Sequence, residues 1–142
     1  MTLNSTETMV LIEAARENEV LLMEAFMYRT HPQTDKIREL VKEEFKDNPI
    51  TIEASFGFSA QVPEEHRLVN PELGGGSIMD IGCYPMSMSR MIIGEQNGKP
   101  FSNPVTIEAK GELSSRGVDL NATAKLSFDN GSKALISSAI NK

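Results

Sequence analysis

Hydrophobic positions along the chain switch between a helical period and a period of two, and each switch marks an element. Asn4 followed by Glu7 is a capping-box pattern, and Val10, Leu11, Ala14 and Ala15 behind it predict a helix ending near Asn18. Val20-Leu21-Leu22-Met23-Glu24-Ala25-Phe26 is then almost continuously apolar, which predicts a strand covered on both faces, as in a parallel sheet. No second strand-helix unit accompanies it, so the first 26 residues read as the end of something larger. Pro32 pre-sets φ for a first helical turn, and Ile37, Leu40, Val41 and Phe45 give one apolar face to a helix over 33–46.

Beyond Pro49 the period falls to two. Ile50, Ile52, Ala54, Phe56 and Phe58 point one way, and Thr51, Glu53, Ser55 and Gly57 the other. Residues 59–73 have no period, and a loop of that length is more often functional than filler. Alternation returns in Val105, Ile107, Ala109 and Leu113, in Leu120 through Phe128, and in Ala134, Ile136 and Ile140, with Asn130-Gly131 predicting a type I′ hairpin turn. The fold class is therefore α+β: a largely antiparallel open sheet, its apolar face covered by helices at 33–46 and 77–93. The other face carries Thr, Ser, Asn, Lys and Glu, and is either solvated or buried against a second copy.

The helix at 77–93 follows three glycines, Gly74-Gly75-Gly76. Ser77 and Asp80 stand in capping-box positions. Ile78, Ile81, Pro85, Met88 and Ile92 form one apolar stripe, and Met79, Cys83, Met86 and Ile93 a second, so the helix is mostly buried. Between the stripes runs a polar line, Asp80, Tyr84 and Ser87, which is the candidate chemistry. Two of them also have a plain structural reading: Asp80 as a cap, Tyr84 as a core aromatic bonded through its hydroxyl.

Composition narrows the partners. The 142 residues, 39% hydrophobic, suit one core. Twenty acidic against fourteen basic residues give a net charge of −6 with no basic cluster, which argues against nucleic acid. The single cysteine, Cys83, falls in an apolar helix and reads as a packed, reduced thiol. No signal-peptide pattern or long apolar run occurs, so neither secretion nor a membrane span is supported and the expected location is cytoplasmic. No His, Cys or carboxylate group has metal-ligand spacing, so no metal is expected.

Taken in order, Glu24-Ala25-Phe26-Met27-Tyr28-Arg29-Thr30-His31-Pro32, Arg67-Leu68, Gly74 through Pro85 with its Asp-x-x-x-Tyr, and Gly117-Val118-Asp119 make this chain resemble the glucose-fructose oxidoreductase/inositol dehydrogenase (Gfo/Idh/MocA) family. Within it the chain is most similar to the branch of NADP-dependent dihydrodiol and xylose dehydrogenases, which carries Tyr rather than His in the helix motif. The resemblance implies hydride transfer between a nicotinamide and a sugar or vicinal diol, with Tyr84 handling the hydroxyl proton and Asp80 orienting the substrate. It places Arg29 and Arg67 in segments lining the mouth of the active site. A free phenol is a poor base at neutral pH and needs a neighbouring cation, which the family supplies as a lysine.

The departures from the family are as informative. Complete members begin with a dinucleotide-binding domain carrying G-x-G-x-x-G and ending in Glu-Lys-Pro, and neither motif occurs here. The resemblance implies that residues 1–26 are the last helix and strand of that Rossmann domain. It makes 27–142 the substrate and oligomerisation domain, truncated at its C-terminal end. The expectation is an oxidoreductase fragment, inactive alone and binding no cofactor, with NADP or NAD in the complete protein and a homodimer or larger assembly through the sheet. The rival is a non-catalytic binding or dimerisation module in which Asp80 and Tyr84 are structural.

Overall fold

The computed structural model describes residues 2–46, 48–59 and 61–141, and the chain divides into two compact units at the His31–Pro32 junction. In the first unit, helix α1 (Ser5–Glu17) starts as the sequence predicts. Asn4 Oδ1 accepts from the Glu7 N–H at 3.0 Å, while the Glu7 carboxylate accepts from Asn4 Nδ2 and the Leu3 N–H. Asn18 closes the helix, donating from both its backbone and its side chain to the Ala14 carbonyl. Glu19, at φ 52°, then turns the chain out of the helix.

The expected strand at 20–26 is absent. The segment joins no ladder, and Leu21 is 89% exposed. Its apolar character suits a strand between neighbours, and no strand among the described residues pairs with it, so its N–H and C=O groups form no sheet. A single 3₁₀ turn, Met27–Thr30, follows.

The second unit contains α2 (Pro32–Glu44), β1 (Thr51–Gly57), a wide π-helical turn (Ile78–Gly82) running into α3 (Cys83–Gln96), and β2 (Thr106–Leu113), β3 (Asp119–Ser127) and β4 (Lys133–Ala139). The sheet order is β1-β4-β3-β2. The β2–β3 and β3–β4 pairs are antiparallel, as the alternation predicts, while β1 joins β4 in parallel, Thr51 opposite Lys133. At the β3–β4 connection the Gly131 N–H donates to the Phe128 carbonyl and the Phe128 N–H to the Ser132 carbonyl. Only Gly131 of the Asn130-Gly131 pair has positive φ. The turn is thus a three-residue loop with glycine in the left-handed position rather than type I′, which needs both residues there.

Helix α3 lies on β1 and β4. Ile93 packs with Leu126, Phe128 and Ala134 in one cluster, and Ile81 with Leu68 and Ile140 in another. Two expectations are corrected. Helix α2 packs on α3 and not on the sheet, leaving Leu40 and Phe45 partly exposed around buried Val41. β2 is exposed at every residue instead of half-buried. Ile107 and Ala109 stand in register with Leu126 and Ala124, on the core side, but no described helix extends over that edge of the sheet. No helix is long and apolar enough to cross a membrane among the described residues.

Candidate functional site

The glycine triplet serves close approach more than freedom. Gly74, at φ 71°, ends the 3₁₀ turn Pro71–Leu73. A Cβ on Gly75 would fall 2.9 Å from Arg67 O and from both Asn70 N and Asn70 O, so only glycine lets this strand of backbone lie on loop 67–70. The Gly76 N–H donates to the Leu68 carbonyl at 2.9 Å. The triplet therefore docks the Arg67 loop against the start of the helix.

That start is built from the sheet. Ser77, wholly buried, makes no side-chain cap, which corrects the Ser77–Asp80 capping box. Asp119 on β3 replaces it: its Oδ2 accepts from the Ile78 N–H at 2.7 Å and from Ser77 Oγ at 2.6 Å. Ser77 Oγ also lies 2.9 Å from Ser138 Oγ on β4. Gly76, at φ 118°, leaves the space that Asp119 fills, since a Cβ there would stand 2.2 Å from Asp119 Oδ1. A carboxylate at a helix N-terminus satisfies open N–H groups and is favoured by the helix dipole.

Residues 78–82 then form a π-helical turn, in which the Cys83 N–H reaches the Ile78 carbonyl five residues back. Pro85 follows, with no N–H to offer and a ring that presses on the preceding turn of a regular helix, and the widening falls just before it. The uniform 100° projection that aligns Asp80, Tyr84 and Ser87 does not hold across this turn.

Of the expected site residues, Arg67 and Asp80 are brought together. Arg67 Nη1 donates to Asp80 Oδ1 at 2.6 Å, with the arginine side chain 65% exposed and the aspartate side chain 17%. Tyr84 is half-buried on the Leu68–Ile81–Ile140 cluster, its ring edge-on to Phe56 at 5.6 Å between centroids. Ser87 is buried. Cys83 Sγ lies 3.8 Å from the Asp80 carbonyl. Arg29 belongs to the first unit, where its guanidinium stands 5.7 Å from the Phe26 ring centre and 6.0 Å from that of Tyr28. Asp119 and Ser138 were given no role by sequence patterning. The signal for Asp119 is its place in the Gly117-Val118-Asp119 segment of the family resemblance, while Ser138 is a Ser in an apolar alternation, which many strands contain.

The far end of α3 carries a second polar assembly. Glu95, only 4% exposed, takes Arg38 at 2.6 Å and Lys42 at 2.8 Å. Burial pushes its carboxyl up, but the hydrogen bonds and charges of Lys42 and Arg38 outweigh that and hold it below the usual carboxylate range. Gln96 donates to the Phe45 and Asn48 carbonyls and accepts from Asn130 and Ser132.

The glycine triplet does not fit a dinucleotide phosphate. The space beside Gly75 and Gly76, where a phosphate would have to lie, is taken by loop 67–70 and Asp119. No group of three or more His, Cys, Asp or Glu converges as metal ligands among the described residues.

Residues 34–141 match the profile of the GFO/IDH/MocA C-terminal domain. The chain is 31% identical over 139 residues to D-xylose 1-dehydrogenase (NADP(+)) 2 of Haloferax volcanii, covering 98% of this chain and 40% of that protein. It is 35% identical over 140 residues to trans-1,2-dihydrobenzene-1,2-diol dehydrogenase of Xenopus laevis, covering 99% of this chain and 40% of that one. Among solved structures, the aldose-aldose oxidoreductase of Caulobacter crescentus superposes with a TM-score of 0.82 at 24% identity, covering 99% of this chain and 42% of that one, a likeness of fold. The chain thus spans about two-fifths of the length of the relatives it matches.

Proposed function

Because the chain belongs to the GFO/IDH/MocA C-terminal domain family, we propose that it is the substrate-side part of an NADP-dependent oxidoreductase acting on a sugar or vicinal diol. The observation that carries this reading is the Arg67–Asp80 pair, seated on the wide turn that leads into Tyr84. A hydroxyl substrate losing a hydride must also lose a proton, and a half-buried phenol at the end of an apolar cluster is suited to pass it. Asp80 accepts hydrogen bonds only, so it orients a substrate hydroxyl by receiving its O–H. Arg67, mostly in water, offers its remaining N–H groups to substrate oxygens. Arg29 enters the proposal as a second guanidinium for substrate or cofactor oxygens, on the strength of the sequence resemblance.

In this reading the dinucleotide and the lysine that assists the phenol come from polypeptide outside these 142 residues. Residues 1–26 belong with that domain and 27–142 with the substrate domain, and the chain alone neither binds NADP nor turns over. Tyr84→Phe in the complete enzyme is expected to lower kcat by about 10²- to 10⁴-fold with the melting temperature unchanged. Unchanged turnover sinks the proton-transfer assignment. Tight dinucleotide binding by the isolated chain, followed by nicotinamide fluorescence, would overturn the division of labour.

One observation favours a partner as well. The outer sheet face has a shallow, open depression lined by Glu53, Ser55, Thr123 and Ser137 around Leu135, which is 43% exposed. An apolar residue ringed by polar ones suits a homodimer formed face to face. Leu135→Lys is expected to leave a monomer in sedimentation. A dimer surviving that change argues for another surface.

A further inference from the structure

We propose that Asp119 is a positioning residue for this site: it holds the π-helical turn 78–82 in place and thereby sets the angle between Asp80 and Tyr84. The inference rests on the reading of Asp80 and Tyr84 given above. Asp80 sits in the middle of the turn, and Tyr84 lies beyond it, in regular helix. A change from π to α winding across these residues would rotate one relative to the other, because a π turn takes more residues than the 3.6 of an α-helix. The winding of the turn is therefore a determinant of the site.

π turns are rare and occur mostly as single turns, so this one needs support from its surroundings. The support comes from two side chains on the sheet. At the front, Asp119 Oδ2 takes the Ile78 N–H and Ser77 Oγ, and Oδ1 occupies the space that Gly76 leaves. At the back, a Cβ on Gly82 would meet Ser138 Oγ at 3.0 Å, so Gly82 is pressed on the same serine that pairs with Ser77. Both ends of the turn are thus tied to neighbouring strands, β3 and β4, whose register is fixed by seven residue pairs. Bonds to an ionised carboxylate are the stronger kind, which singles out Asp119 among these contacts.

The test compares Asp119→Ala with Asp119→Asn, the latter keeping one acceptor oxygen and nearly the same shape. In the 142-residue chain, amide hydrogen exchange at Ile78 and across 79–82 should quicken about tenfold in Asp119→Ala, with Ile93 and Glu95 unchanged and Asp119→Asn in between. In the complete enzyme, Asp119→Ala should lower kcat about tenfold with KM nearly constant, and Asp119→Asn should restore most of it. Exchange at Ile78 that does not move overturns the proposal. So does a wild-type kcat in Asp119→Ala when Tyr84→Phe abolishes turnover, an outcome that leaves the reading of the site standing. If Tyr84→Phe is itself neutral, that reading falls and the catalytic role of Asp119 with it. Should Asp119→Ala fail to fold, Asp119→Asn carries the test, since it too must shift Ile78 exchange and kcat in the stated directions.

Discussion

The two ends of α3 are both held by buried polar groups, yet they differ in what they leave open. At the C-terminal end the carboxylate of Glu95 is closed off, with two cations from α2 upon it, and Gln96 ties the end of α2, the approach to β1 and the β3–β4 loop into one knot. At the N-terminal end the closed part is Asp119 with Ser77 and Ser138, while Asp80 has a single cation whose side chain is mostly in water. A buried carboxylate stripped of its cations has nowhere to go, whereas a pair with one foot in solvent separates cheaply. The first arrangement suits stability. The second suits a group that must exchange its partner for a ligand.

The sharpest break of this contrast is Arg38→Ala with Lys42→Ala, which leaves Glu95 buried and unpaired. We expect a loss of about 3–5 kcal/mol in urea unfolding. The pH dependence of the Glu95 contribution should change sign. In the wild type the Glu95 carboxyl is held down, so its contribution is present above the free carboxyl value near 4.3 and is lost as pH falls through its lower folded value. In the double variant only burial acts on Glu95, which pushes its carboxyl up, so the loss of stability relative to the wild type should shrink as pH falls from neutral. A variant that weakens on acidification like the wild type contradicts this account of Glu95.

Smaller is Gln96→Ala, which strips the Phe45 and Asn48 carbonyls, Asn130 and Ser132 of one partner each. About 2 kcal/mol is expected, since water reaches part of the space left. Smallest is Arg67→Ala, at less than about 1 kcal/mol, because an exposed arginine gives up little and Asp80 regains solvent. Should Arg67→Ala destabilise as much as the double variant, the two ends would not be opposites, and the Arg67–Asp80 pair would be part of the frame.

Sequence patterning reaches what depends on neighbours along the chain. The Asn4–Glu7 cap and the faces of β1, β3 and β4 follow from spacing of a few residues. What it misses is decided across the fold. The cap of the turn at 78 comes from Asp119, some forty residues on, and Ser77, a good cap by composition, is drawn instead into the sheet. Residues 20–26 carry a strand's pattern but join no ladder among the described residues, and the alternation in β2 faces a side that no described helix covers. Pro85 is a visible signal for a break in the helix, but whether a helix kinks, stops or widens at proline depends on what packs around it.

The parallel pairing of β1 with β4 also has a temporal side. Thr51 and Lys133 are separated by about 80 residues of chain, which at ordinary synthesis rates is on the order of ten seconds. During that interval β1 has no partner, whereas β3 and β4 find each other across a three-residue loop as soon as both emerge. The β3–β4 hairpin is expected to close before β1 docks on β4, because contacts distant in sequence are slow to close. Until β4 arrives, β1 has no strand on either side, and its unpaired N–H and C=O groups are open to association with another chain.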